Sequence, residues 1–458
     1  MRMVFKIIWN WISLPALALS LTARVAHAQV PIPPAIATPP PAQAPAPPPV
    51  APVTASPTPP ATAPAAAGPA VEMPPEQDMP AMELPRESAI ENPLRRPAIS
   101  GTAIGGYGEL TLNAPEGQPA IVDLRRVVLY VGHNFNEHLR FYSELEVEHA
   151  VASSTDQGEF EVEQAYLDGL FGRRLNLRGG VIIMPVGIIN VYHEPPTFNG
   201  VDRPEVDRLV IPSTWREPGI GIFGELAQGV EYQAYVVNGL NANGFTAESG
   251  VAEGHQEAQL AAARDFGGVA RLTYEPRLAT VFGLSGYLAS SGNSLRSTVG
   301  NVPVGLIEVD ARTRYHGFSA RGELAFMFIG DTAALNQALL AADPAASVPV
   351  ASQLRGGYLE AGYDLLRLLT PTEQTLTLFG RFDYANTQAS VPAGFTADPS
   401  FIRYVYTVGL VYRPIAEIGL KLDYRRHELG GPAGKDGTVG TPENPKGNEL
   451  AAAITWMF

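Results

Sequence analysis

After residue 100, apolar and charged side chains alternate at every second position in a series of runs. Leu420, Leu422 and Tyr424, for example, alternate with Lys421 and Asp423. Successive side chains of a strand point to opposite faces, so each run predicts a strand with one apolar and one charged face. We count sixteen runs, which begin near Gly101, Ile121, His138, Glu159, Arg174, Trp215, Gly229, Phe266, Leu278, Gly305, Gly317, Gln353, Glu373, Phe401, Ala416 and Gly447.

The connections between these runs predict how the strands are arranged. Long connections lie around 114–120, 151–158, 187–214, 240–265, 291–304, 331–352, 387–400 and 429–446, and short ones alternate with them. Short periplasmic turns that alternate with long outer loops are typical of bacterial outer-membrane barrels. The sequence therefore predicts an all-β fold, a 16-stranded antiparallel transmembrane β-barrel. A soluble sheet would show the same alternation with its apolar face buried, so the alternation alone leaves that alternative open.

The third long connection, residues 187–214, carries apolar side chains that a solvated loop would not need, among them Val191, Phe198 and Ile211. Long loops are usually functional or disordered, and this apolar content favours packing. We expect the loop to fold into the barrel and narrow its lumen. A loop folded over the barrel mouth or against a neighbouring subunit is the alternative. The candidate constriction charges are Asp202, Arg203, Glu205, Asp207 and Arg208.

The two ends of the sequence indicate export. Residues 1–28 combine early basic residues, an apolar stretch and the small-x-small sequence Ala26-His27-Ala28, which predicts a signal peptide. Residues 29–98 hold roughly half of the 42 prolines and predict a disordered Pro/Ala-rich periplasmic linker. Residues 99–458 are the predicted barrel domain, and their last strand ends in Phe458. The linker is either a bland spacer or a contact with peptidoglycan or a partner protein.

The charge and cysteine content exclude several classes of function. The formal net charge is −14 and the chain has four lysines, which argues against nucleic acid as a partner. The chain has no cysteine, so disulfides, thiolate metal sites and a catalytic thiol are excluded.

Motifs around the third loop resemble the phosphate-selective porin O/P type family. They are Pro185-Val186-Gly187, then His193-Glu194-Pro195-Pro196-Thr197-Phe198, then Arg203-Pro204, and finally Ile211-Pro212-Ser213-Thr214-Trp215-Arg216-Glu217. The resemblance implies a homotrimeric outer-membrane channel with the third loop folded into each pore. Family members that select phosphate use arginine ladders and lysine clusters, whereas the barrel region here holds only Lys421, Lys435 and Lys446.

The alternation places both signs of charge on the predicted lumen face. A charge ring selects ions by its sign, so mixed rings predict weak selectivity. The candidate pore-lining residues are Arg140, Glu144, Glu146, Arg178, Arg271, Arg312, Arg314, Arg321, Arg381, Arg403 and Arg425.

His193-Glu194 is the most suggestive catalytic or metal-binding pair. It has no second ligand at a regular spacing, so a structural loop pair is favoured. We therefore predict no catalytic residue, no metal site and no cofactor.

The leading hypothesis is a passive, water-filled outer-membrane channel for small hydrophilic solutes or ions, with anions such as phosphate among the candidates. The alternative is a structural or adhesive barrel with a closed lumen that anchors the Pro-rich tether. An outer-membrane enzyme is a third and much weaker hypothesis.

Overall fold

Sixteen antiparallel strands form a closed barrel in which each strand pairs with its neighbours in sequence. The structure is a computed structural model that describes residues 101–152, 158–342, 349–369, 372–431 and 446–458, so the predicted signal peptide and linker lie outside the described residues. The strands are β1 (Gly101–Pro115), β2 (Ile121–Asn134), β3 (Leu139–Glu148), β4 (Phe160–Leu170), β5 (Asn176–Ile183), β6 (Arg216–Ala227), β7 (Val230–Asn238), β8 (Phe266–Arg277), β9 (Thr280–Ser290), β10 (Pro303–Tyr315), β11 (Phe318–Ile329), β12 (Gln353–Asp364), β13 (Thr375–Ser390), β14 (Ile402–Ile415), β15 (Ile418–Leu429) and β16 (Gly447–Met457).

Helical segments occur only in the connections of the described residues. The α-helices are α1 (Val206–Leu209) and α2 (Thr332–Ala342), and single 3₁₀ turns cover Pro195–Thr197, Ala242–Gly244, Ala252–Gly254, Asn293–Leu295, Leu366–Leu368 and Pro399–Phe401. None of the helices in the described part of the chain is long and apolar enough to cross a membrane.

The predicted strand count of sixteen is confirmed, and each predicted strand start lies within two residues of the observed one. The prediction that long and short connections alternate strictly was wrong at one place. The β12–β13 connection, residues 365–374, is longer than the β1–β2 connection, residues 116–120. The short connection at β1–β2 follows from the pairing of β1 with β2, which extends as far as Asn113 opposite Ile121.

The apolar faces of the strands point outwards and the charged faces point into the barrel. Leu422 is 48% exposed, whereas its neighbours Lys421 and Asp423 are 4% and 2% exposed. The same holds in β10, where Ile307 is exposed and Glu308 is buried. A soluble sheet would show the opposite arrangement, so this inside-out pattern decides in favour of a barrel surrounded by lipid.

The barrel closes where the first and last strands pair. The register runs from Tyr107 opposite Met457 to Pro115 opposite Glu449. The amide of Phe458 donates a hydrogen bond of 2.9 Å to the carbonyl of Gly106. Closure leaves no unpaired strand edge, which would cost several kcal/mol for each exposed backbone group in hydrocarbon.

An apolar cluster fills part of the barrel at the end where the long loops lie. Its members come from β5, from β7 to β12 and from the connections between them, and include Trp215, Val210, Leu240 and Leu335. This cluster occupies one side of the loop end, and the open part of the lumen lies beside β1 to β4, β15 and β16.

Candidate functional site

The third long connection, residues 184–215 and hereafter loop L3, folds into the barrel. At its base the Asn190 side chain donates 2.9 Å to the carbonyl of Met184 and accepts 2.6 Å from the amide of Trp215. These two bonds join the first and last residues of L3, so the rest of the loop projects into the lumen.

L3 reaches the opposite wall and is hydrogen-bonded there. The Lys421 ammonium donates to the carbonyl oxygens of Pro195 and Gly200, both at 2.8 Å. Three further bonds to wall residues are Ile188 N to Glu323 Oε2 (2.8 Å), Val201 N to Asp423 Oδ2 (2.7 Å) and Arg413 Nη2 to Pro196 O (3.2 Å). The expected inward fold of L3 is therefore what the structure shows, and buried charges of the wall pair with the loop backbone.

Asp202 lies at the centre of a charge cluster that joins L3 to the barrel seam. Its carboxylate accepts a hydrogen bond of 2.5 Å from Arg125 of β2 and a second bond from Arg425 of β15. Arg425 also contacts Asp423 at 3.1 Å and Glu449 at 3.4 Å. Burial opposes the ionisation of Asp202, but Arg425 and Arg125 outweigh it and hold the pKa of this carboxyl well below its usual range.

The other four candidate constriction residues divide into two pairs. Arg203 and Arg208 lie beside Asp202 on the open lumen. Glu205 and Asp207 are buried behind them, because the chain turns into helix α1 at this point. Burial raises the pKa of Asp207 to about 8, although Arg203 opposes the shift. Neither oxygen of the Asp207 carboxyl has a hydrogen-bond partner among the described residues.

L3 bounds a charged cavity of about 1140 Å³ at the loop end, hereafter the vestibule. Among the described residues, ten carboxylates and six arginines line it, so these residues carry a formal charge of 6 − 10 = −4 with neutral histidines. The carboxylates are Glu109, Asp123, Glu146, Glu148, Glu159, Glu161, Asp202, Glu253, Glu257 and Glu449, and the arginines are Arg125, Arg126, Arg203, Arg208, Arg216 and Arg425.

On the other side of L3, towards the short turns, lies a smaller pocket of about 110 Å³, hereafter the turn-side pocket. It borders Glu144, Arg178 and Arg271 from the wall and His193 from L3. Within the part of the chain that the structure describes, the vestibule and the turn-side pocket share no lining residue.

Most of the candidate pore-lining residues form ion pairs inside the barrel, and Arg314 is exposed near the turn end. Glu146 and Arg425 border the vestibule, and Glu144, Arg178 and Arg271 border the turn-side pocket. The pairs on the wall are Arg140 and Arg178 with Asp168, Arg271 with Glu308 and Asp310, Arg321 with Glu360, and Arg381 with Asp383. Arg312 and Arg403 contact L3 instead, at the Tyr192 ring and at Glu205.

The sequence analysis missed Arg125 and Arg126, which both line the vestibule. The β1–β2 pairing shifts register here, since Glu109 lies opposite Arg126 and Leu110 lies opposite Leu124. This β-bulge gives β2 one extra residue, so two consecutive arginines can face the lumen. The break in alternation at Arg125-Arg126 was the signal that could have identified the bulge.

Comparisons with known proteins agree with this architecture. No family model matches the chain. A protein of Aquifex aeolicus (strain VF5), described as an uncharacterized protein, is 36% identical over 367 residues, which cover 78% of this chain and 80% of that protein. The chain therefore belongs to the same family as this Aquifex protein.

Two solved structures of porin-type barrels are similar in fold. OmpF of Salmonella typhi, in a complex with daunomycin, has a TM-score of 0.53 and 12% identity over 78% of this chain and 98% of that chain. The outer membrane channel DcaP of Acinetobacter baumannii has a TM-score of 0.50 and 11% identity over 78% of this chain and 97% of that chain. The barrel thus has the fold of outer-membrane porins.

Proposed function

We propose that the protein is an outer-membrane porin, a passive channel for small hydrophilic solutes or ions. The observation that carries this proposal is the charged vestibule inside a barrel whose outer face is apolar. Lipid contact explains the exposed leucines and valines, while the ion pairs of the lumen face are compatible only with water or with each other. The role is transport and requires no catalytic residue.

L3 is the proposed constriction. Asp202, Arg203 and Arg208 are the proposed constriction charges that a solute meets when it enters from the vestibule. Asp202 is held by two arginines of the wall, which fixes its position in the lumen. A fixed charge presents the same field to every passing solute, so the constriction can discriminate by sign and size.

The charge of −4 on the described lining residues of the vestibule favours cations over the phosphate that the resemblance to the O/P type family implies. A phosphate pathway would need arginines that are free of carboxylates, whereas Arg425 contacts three of them. We therefore infer a weak cation preference, with phosphate transport as the competing outcome of the same experiment.

The test is single-channel conductance in a planar bilayer, followed by the reversal potential in a salt gradient with and without phosphate. Discrete conductance steps are expected, and the sign of the reversal potential should indicate that cations are preferred over anions. Arg208→Trp, which places a bulky ring in the vestibule, should lower the step size. Arg173→Trp is its control, because Arg173 is 78% exposed in its side chain at the turn end. Steps of equal size in both variants would contradict the proposed route past L3.

A second candidate function is a structural barrel with a closed lumen. It is favoured by the bonds of L3 to the opposite wall, and by the two linings, in which no described residue borders both the vestibule and the turn-side pocket. A protein that inserts into bilayers but shows no steps would support this candidate. Co-sedimentation with peptidoglycan, compared between the full chain and a chain without residues 29–98, tests whether the linker is the tether.

The same proposal includes the organisation and assembly of the chain. We infer a signal peptide at residues 1–28, a periplasmic linker at residues 29–98 and an outer-membrane domain at residues 99–458. A homotrimer is supported by the family resemblance, and light scattering of the detergent-solubilised protein would distinguish a trimer from a monomer.

A further inference from the structure

One histidine of L3 meets two glutamates of the wall in the interior of the barrel. Glu144 of β3, Glu163 of β4 and His193 are 1%, 0% and 2% exposed. The Nε2 atom of His193 lies 3.6 Å from Glu144 Oε2 and 3.7 Å from Glu163 Oε2. One donor atom of each residue lies within 4.8 Å of the other two. This cluster could not be predicted from the sequence, because its three members lie far apart along the chain.

The histidine is oriented so that Nε2 faces the carboxylates. Its other ring nitrogen, Nδ1, lies 3.3 Å from the carbonyl oxygen of Asn190. Since a carbonyl can only accept, Nδ1 carries the hydrogen of this bond and the Nε2 lone pair points elsewhere. Nε2 has no hydrogen-bond partner among the described residues, because both carboxylates are beyond hydrogen-bond distance.

Three electron-pair donors that face each other in a buried site repel one another, so a proton or a metal ion among them lowers the energy. A proton on Nε2 would satisfy neither carboxylate well at these separations. A metal ion with bonds of about 2.0–2.2 Å places tetrahedral ligand atoms about 3.4 Å apart, which is close to the observed 3.6 and 3.7 Å. The spacing therefore suits a metal ion better than a shared proton.

The surroundings hold both carboxylates in place. Glu144 accepts hydrogen bonds of 2.7 Å from Tyr142 and from Gln164. Glu163 accepts one of 3.3 Å from Tyr107. Partners of this kind orient the ligands of protein metal sites, as the Asn190 carbonyl does for the histidine.

We propose that Glu144, Glu163 and His193 bind one divalent transition-metal ion, with Zn²⁺ as the ion of best fit. One imidazole and two carboxylates suit Zn²⁺ and its neighbours in the first transition row, whereas Mg²⁺ and Ca²⁺ prefer oxygen ligands alone. The turn-side pocket borders Glu144 and His193, so water can reach the fourth ligand position from that side.

The metal would join L3 directly to β3 and β4. Lys421 of β15 already binds the backbone of L3 at Pro195. The ion would in addition bind the same loop at His193 to strands β3 and β4. The site does not depend on the proposed channel function, because binding and stability can be measured on a barrel that conducts nothing.

Isothermal titration of the chelator-treated full protein in detergent, with ZnCl₂ and separately with MgCl₂, tests the proposal. We expect one Zn²⁺ per chain, no competition by Mg²⁺, and a loss of affinity of more than about tenfold in His193→Gln and in Glu163→Gln. His427→Gln is the matched control, because His427 pairs with Glu449 at 2.9 Å elsewhere in the lumen. Equal affinity in the His193→Gln and His427→Gln variants would overturn the assignment.

A second measurement on the wild-type protein covers the case in which the variants fail to fold. X-ray absorption of the Zn²⁺-loaded protein should show one nitrogen and at least two oxygens at about 2.0–2.2 Å. A shell with no imidazole nitrogen, or Zn²⁺ binding that does not saturate, would show adventitious binding by surface carboxylates and would reject the site.

Discussion

The ammonium group of Lys421 donates a hydrogen bond of 2.8 Å to the carbonyl oxygen of Gly200. The same ammonium binds the carbonyl of Pro195 at 2.8 Å and lies 4.1 Å from the centre of the Phe198 ring. One buried side chain of β15 thus satisfies two backbone acceptors of L3 and caps its aromatic residue. This contact is one of several that hold the loop in the lumen.

Replacing Lys421 with methionine should loosen L3. The variant keeps most of the side-chain volume but leaves two buried carbonyls unpaired, which should lower the free energy of unfolding by about 1–3 kcal/mol. Urea unfolding in detergent measures this change, and single-channel recording should show more current noise. Lys446→Met, just before β16, should change neither quantity, and an equal loss of stability in both variants would contradict an anchoring role for Lys421.

Neutralising Asp202 should shift ion preference towards anions. Asp202→Asn removes the carboxylate that pairs with Arg125 and Arg425 and makes the vestibule less negative. The reversal potential in a salt gradient should move accordingly. Glu225→Gln removes a carboxylate that pairs with Arg173 at the turn end and should leave the reversal potential unchanged. If the reversal potential of Asp202→Asn equals that of the wild type, Asp202 does not determine the ion preference of the channel.

Asp207 should make the stability of the protein depend on pH. Its pKa is about 8 in the folded protein and near 3.9 in an unfolded chain. The unfolded state therefore loses its proton first, and the free energy of unfolding should fall as the pH rises between these two values, by up to about 1.4 kcal/mol per pH unit. The stabilisation is fully present below about pH 4 and is lost above about pH 8.

Asp207→Asn should flatten this dependence, which urea unfolding between about pH 5 and 7 would measure. Asp202→Asn is the control, since the pKa of Asp202 is held below its usual range and the carboxylate stays charged throughout. If the slope in Asp207→Asn equals that of the wild type, another group is responsible.

Replacing a leucine on the outer face with arginine should lower the free energy of unfolding, and by more the deeper the residue lies in the lipid bilayer. Leu422 lies within β15 opposite Leu410, and Leu278 lies in the turn between β8 and β9. Leu422→Arg should lower the free energy of unfolding by about 2–4 kcal/mol and Leu278→Arg by about 0–1 kcal/mol. Folding into lipid vesicles at increasing urea measures both. Equal costs would mean that the apolar face does not contact hydrocarbon.

The sequence predicted the barrel well because its signal is local. Alternation of apolar Leu420 and Leu422 with charged Lys421 and Asp423 determines a strand and its two faces without reference to other strands. That the charged faces point into the barrel was predicted from the order of long and short connections. The predicted strands and the direction of their faces stay the same when a strand end is misplaced by one or two residues.

The site was harder to predict because its contacts join distant parts of the chain. Alternation identified Arg425 as a lumen residue, but nothing local shows that Asp202 of L3 is its partner. The strict period of two also hid Arg125, because a bulge in β2 changes the face of the residues on one side of it. Similarly, the sequence suggests only the adjacent Glu194 as a partner of His193. In the structure, His193 lies close to Glu144 and Glu163.

The seam between β1 and β16 determines the order in which the protein can assemble. Tyr107 pairs with Met457, so the contact that completes the sheet joins residues from opposite ends of the barrel sequence. Any shorter run of strands has two open edges and cannot enter hydrocarbon without unpaired backbone groups. Such long-range pairing is slow, since the loop between the partners must close first. Membrane insertion should therefore be a late and concerted step, and partly synthesised chains should remain in the aqueous phase.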